Sequence, residues 1–114
     1  LKIILLSFFL FLTSCAVNPN SSETIISNIA LPTMQCGMCI SNIENALNEV
    51  EGIDKIRVDL KNLNVKVQYN TEKISLQEIE QLITMSGYQA NNKEANINAY
   101  NQLAICCRLP EDRK

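Results

Sequence analysis

Cys36 and Cys39 stand three residues apart in the run Thr33-Met34-Gln35-Cys36-Gly37-Met38-Cys39. A glycine and two thioether side chains flank them. Immediately afterwards Ile40, Ile43, Leu47 and Val50 recur at helical spacing, which predicts a loop carrying Cys36 and a helix whose first turn carries Cys39. Unpaired N–H groups at a helix start favour negative charge, so a thiolate there is stabilised. Two deprotonated sulfurs on a short loop make a soft, anionic claw for a soft metal ion. The same two sulfurs can instead close a disulfide or exchange one with a partner.

Composition removes several other chemistries. The chain has 114 residues, enough for one small domain with appendages, and its net charge is −2. No cluster of basic residues points to nucleic acid. There is no histidine, which excludes Cys/His zinc sites, an imidazole base and a Cys–His catalytic pair. The cysteines number five: Cys15, Cys36, Cys39, Cys106 and Cys107. An odd count in an exported protein is accounted for if one is lipidated and the other four form two close pairs.

Elements that position the thiols follow from the order of the chain. Residues 1–14 open with Lys2 and run apolar from Ile3 to Leu12, the pattern of a secretory signal too short to span a bilayer as a mature helix. Leu12-Thr13-Ser14-Cys15 resembles the bacterial lipobox, which implies that Cys15 is lipidated and becomes the first mature residue. The expected location is therefore the extracytoplasmic side of a bacterial membrane, held by acyl chains. Residues 15–23 read as a flexible tether. A first strand is expected within 24–32, a helix over about 38–50 ended by Gly52, strands at about 54–60 and 65–69, and a helix over 75–86. Ser75 and Glu78 form a capping box for that second helix. Tyr88 and Ala90 read as a short fourth strand.

The order is βαββαβ, with each strand apolar on one face and each helix on one stripe. An α+β ferredoxin-like sandwich, two helices on one face of a four-stranded antiparallel sheet, buries all these stripes together. Residues 93–114 lie beyond it. Ile97, Tyr100, Leu103 and Ala104 suggest a short amphipathic helix ahead of Cys106-Cys107, and the charged last four residues read as frayed.

Met34-Gln35-Cys36-Gly37-Met38-Cys39, Ile43, Ala46-Leu47, Val50-Glu51-Gly52-Ile53, Val58-Asp59-Leu60, Val65-Lys66-Val67 and Ser86-Gly87-Tyr88 together resemble the heavy-metal-associated domain. That family includes copper chaperones, modules of copper-transporting ATPases and periplasmic mercury-binding proteins. The resemblance covers about residues 24–92 and implies the same fold. It also implies that Met34 points into the core beneath the loop and that Tyr88 lies near the metal loop. There Tyr88 either shields the ion or serves as a plain core aromatic. Gly37 is expected to permit a loop conformation that a side chain would hinder. Met38 is expected on the surface, with a weak sulfur contact to the ion as its alternative role.

The reading that follows is a non-enzymatic, monomeric metal-binding protein, a carrier first of all, with sequestration of the ion as the blander alternative. Cys36 and Cys39 bind Cu(I) first, Hg(II) next, then Zn(II) or Cd(II), and pass the ion to a metal-transporting ATPase or another carrier. Zinc prefers four ligands and would need Cys106 and Cys107 as well. Those two can complete a three- or four-sulfur site, collect metal on a loose tail, act as redox partners, or close a strained vicinal disulfide. The rival reading is an extracytoplasmic thiol–disulfide oxidoreductase that uses the same cysteines. In an oxidising compartment the first pair must be protected by a reductant or by bound metal.

Overall fold

Alternation of apolar and polar residues builds the sheet. In the computed structural model, which describes residues 23–114, three strands form one antiparallel sheet. They are β1 (Thr24–Ala30), β2 (Ile53–Asp59) and β3 (Asn64–Asn70), in the spatial order β1-β3-β2. The expected leader, Cys15 and the tether up to residue 22 lie outside the described residues. Val65, Val67 and Tyr69 of β3 are buried while Lys66 between them is exposed. Register sets Ile29 opposite Val65, and Ile56 and Val58 opposite Val67 and Val65. One face is therefore apolar, and the other carries the exposed Lys55, Arg57 and Lys66.

Two helices close the apolar face. α1 (Gly37–Leu47) buries Cys39, Ile43 and Leu47, and α2 (Leu76–Met85) buries Ile79 and Ile83. These join Ile29, Leu31, Val65, Val67 and Tyr69 in one core, where each fully buried aliphatic side chain contributes roughly 1.5–3 kcal/mol. α2 starts on the expected capping box: Ser75 Oγ accepts from Glu78 N–H at 3.1 Å, and Glu78 Oε2 accepts from Ser75 N–H at 2.9 Å. α1 ends earlier than its apolar stripe suggests. Asn48 is already extended and Glu49 has φ 61°. Gly52, at φ 97°, is a turn residue beyond the helix rather than its cap. A Cβ there would stand 2.8 Å from Lys73 Cβ.

Among the described residues the expected fourth strand does not join the sheet. Ala90 bridges only Lys93, and Asn91 adopts φ 51°, which turns the chain away from the sheet. Asn91 nevertheless caps the β1 edge. Its N–H donates to Ala30 O at 2.9 Å, and its Oδ1 accepts from Ala30 N–H at 2.8 Å. One asparagine side chain thus replaces the backbone acceptor of a strand.

The tail is more ordered than its composition suggests. α3 (Ile97–Asn101) is capped by Asn96, whose Oδ1 accepts from Ala99 N–H at 2.9 Å. Single 3-10 turns follow at Ile105–Cys107 and Pro110–Asp112. Leu103 and Cys107 are buried in the domain core. Instead of fraying, the end of the chain turns back over the loop before α1: Arg113 Nη2 donates to Gln35 Oε1 at 3.3 Å and to Cys106 O at 3.2 Å. Among the described residues no helix is long and apolar enough to cross a membrane.

Candidate metal centre

The loop from β1 delivers Cys36 to the N-cap of α1, with extended backbone, and Cys39 to the third helical residue. Cys39 N–H donates to Cys36 O at 2.9 Å, closing the first turn. The two Sγ atoms then lie 3.7 Å apart. Cys39 is fully buried, Cys36 is half-buried, and all four described cysteines are free thiols. Thr33 fastens the loop from behind, its Oγ1 accepting from Gln89 N–H at 3.1 Å. Met34 is buried in the core under the loop.

Gly37 departs from expectation. It is the first residue of α1, it is exposed, its φ is not positive, and a Cβ would meet nothing within 4 Å. The loop geometry imposes no need for glycine here. Met38 is 52% exposed, and its Sδ stands 3.9 Å from Cys106 Sγ, so its sulfur contact is with the tail.

Tyr88 is a core aromatic that also lies beside the thiols. Its side chain is fully buried in the core, yet its hydroxyl reaches the thiols. Burial pushes that hydroxyl far above its usual range, and the Cys39 and Cys107 thiols beside it act in the same direction. Asn42 Nδ2 donates to Tyr88 Oη at 2.9 Å and opposes the shift.

The tail brings two more sulfurs. Cys107 Sγ lies 3.9 Å from Cys36 Sγ, and Cys106 Sγ lies 4.0 Å from Cys107 Sγ. The sulfurs of Cys36, Cys106 and Cys107 all fall within 4.8 Å of one another. Burial pushes the Cys107 thiol up to about 12, with Cys39 next to it adding to the effect. Asn42 Nδ2 also reaches Cys107 Sγ at 3.8 Å. Asn42 was not marked by its sequence pattern. The available signal was its place three residues after Cys39, one helical turn along the same face.

A sulfur-only pocket at a helix start, free of histidine and carboxylate, suits a soft cation. Comparison with known proteins agrees with that class. Residues 28–89 match the heavy-metal-associated domain, and the chain belongs to that family. It is 38% identical over 55 residues to the copper chaperone CopZ of Staphylococcus aureus, covering 48% of this chain and 81% of the relative. It is 25% identical over 89 residues to a probable copper-exporting P-type ATPase of Archaeoglobus fulgidus, 78% of this chain but 11% of that protein. Among solved structures it resembles oxidized MerP from Ralstonia metallidurans, with a TM-score of 0.58 at 25% identity over 60% of this chain and 96% of the other. The likeness confirms an α+β fold of the heavy-metal-associated, ferredoxin-like type, with three strands in one sheet and two helices. Cys106 and Cys107 lie outside residues 28–89, the part that matches the family.

Proposed function

We propose that this protein is an exported, lipid-anchored carrier that binds one soft metal ion, first of all Cu(I), through the thiolates of Cys36 and Cys39 and hands it on. The observation that carries the reading is the pair of free sulfurs 3.7 Å apart at the start of α1. Similarity to a copper chaperone supports copper. Similarity to MerP, a mercury-bound form of which is known, keeps Hg(II) as the next candidate. Zn(II) and Cd(II) follow.

Transfer needs no redox chemistry. An incoming thiolate forms a new metal–sulfur bond to the half-buried Cys36 side of the ion. One of the first two sulfurs then leaves and takes a proton from solvent, so the free ion is never released. The acceptor is a thiol-bearing metal site, such as the corresponding domain of a metal-transporting ATPase. The extracytoplasmic location and the lipid on Cys15 rest on Lys2, the apolar run after it and Thr13-Ser14-Cys15.

The test is titration of the fully reduced chain with Cu(I) against a competing chelator, beside an insulin-reduction assay. One ion should bind. Cys36→Ser should weaken binding by about a hundredfold or more, equivalent to roughly 2.7 kcal/mol. Disulfide turnover without metal affinity would replace the carrier by an oxidoreductase.

A further inference from the structure

The tail makes the metal loop unlike a bare two-sulfur site. A metal–sulfur bond of about 2.3 Å sets two sulfurs about 4.6 Å apart on a line through the ion, and three sulfurs about 4.0 Å apart in a plane around it. Cys36 and Cys107 are separated by 3.9 Å, and Cys107 and Cys106 by 4.0 Å. With Cys36 and Cys106 also within 4.8 Å, these spacings approach the three-sulfur arrangement. We propose that Cys106 and Cys107 join Cys36 in a three-thiolate site, so that the tail serves as a ligand-bearing lid over the metal loop. This rests on the carrier reading above: Cys36 and Cys39 take up the ion, and in the closed protein Cys106 and Cys107 replace Cys39 beside Cys36.

The lid is built, rather than draped over the loop. Gly87, at φ 103°, lets α3 approach closely: a Cβ there would stand 3.1 Å from Leu103 Cγ and 3.2 Å from the Ala99 carbonyl. Asn96 N–H donates to Thr84 O at 2.9 Å. Arg108 ties the cysteine turn to the end of α3, donating to Asn101 O at 2.7 Å and Leu103 O at 3.1 Å. Tyr100 Oη accepts from Leu109 N–H at 2.9 Å. Cys107 is buried as a result, and Cys106 remains exposed.

The charge balance also fits. A monovalent ion with three thiolates carries two net negative charges, one more than with two. The N-terminus of α1 supplies partial positive charge. Arg113, hydrogen-bonded to Cys106 O and Gln35, supplies a full one. Asn42 Nδ2 offers a donor to the Cys107 sulfur. Closing the site forms metal–sulfur bonds to Cys106 and Cys107, whose thiol protons pass to solvent, and breaks the bond to Cys39, which takes a proton back. Opening it replaces the exposed Cys106 sulfur first, by the thiolate of the acceptor.

The test uses the full reduced chain in detergent, loaded with less than one equivalent of Cu(I), and counts sulfur neighbours by X-ray absorption at the copper edge. Three are expected in the wild type and two in Cys106→Ser/Cys107→Ser, with affinity for Cu(I) falling by about tenfold or more. Cys106→Ser alone alters only an exposed side chain and should also lose a sulfur neighbour. Its circular dichroism should match the wild type. Two sulfurs in the wild type, with unchanged affinity in the variants, would overturn the lid while leaving the carrier intact. Failure of the reduced wild type to bind Cu(I) would overturn both.

Discussion

Cys36 Sγ is the sulfur common to both pairs, 3.7 Å from Cys39 and 3.9 Å from Cys107. It is half-buried while those two neighbours are buried. An ion entering or leaving therefore meets Cys36 and Cys106 before the others. Gly37, next to it, leaves open space that the fold does not require. Gly37→Ala should keep the protein folded and still able to bind one Cu(I). Its melting temperature should be unchanged or higher, because replacing glycine at a position with compatible backbone gains about 0.4–1 kcal/mol. A lower melting temperature by calorimetry would show that the loop does need the glycine. The thiol pair itself was legible in sequence because it is local: Cys36 and Cys39 lie within one helical turn of each other, and the stripe that reveals the helix starts at the next residue, Ile40. Gly37 was misread because a glycine beside a reactive loop invites a conformational explanation that its backbone angles do not bear out.

The elements were legible to the extent that their causes are short-range. Ser75 and Glu78 announce α2 because a capping box spans four residues. The turn between β2 and β3 is equally local. Asp59 accepts from Asn62 N–H at 3.0 Å and from its Nδ2 at 2.7 Å, and these hydrogen bonds, the side-chain one foremost, lower its pKa. A carboxyl depressed in the folded state contributes stability that is present above its unfolded value and lost as pH falls through the folded one. Asp59→Asn should therefore flatten part of the acid limb of the stability–pH curve below about pH 4, read from urea midpoints at successive pH values. An unchanged acid limb would remove Asp59 from the account. The fourth strand misled because Tyr88 and Ala90 alternate as a strand would. They are buried for a different reason: Tyr88 is held by the core and the thiols, and Asn91 sits in a turn that pairs Ala90 only with Lys93.

At the scale of the whole molecule, the docking of the tail joins residues far apart in sequence. No periodicity in residues 93–114 reveals that Cys107 will sit on Cys36, because a contact of that range leaves no local pattern. Gly87 is the joint. Gly87→Ala should strain the backbone by roughly 1–2 kcal/mol and force Leu103 and Ala99 away. The melting temperature should drop by several degrees, and limited proteolysis should cut between residues 93 and 114 faster than in the wild type. Unchanged proteolysis would show that the tail does not depend on that close approach.

Cys36 and Cys107 are separated by 71 positions. A ribosome working at about 5–20 residues per second releases the second roughly 4 to 14 s after the first. The loop is thus born uncovered, with two thiols side by side and their cover not yet made. Any oxidant or stray ion that finds the nascent chain in that interval acts on a simpler site than the finished protein presents.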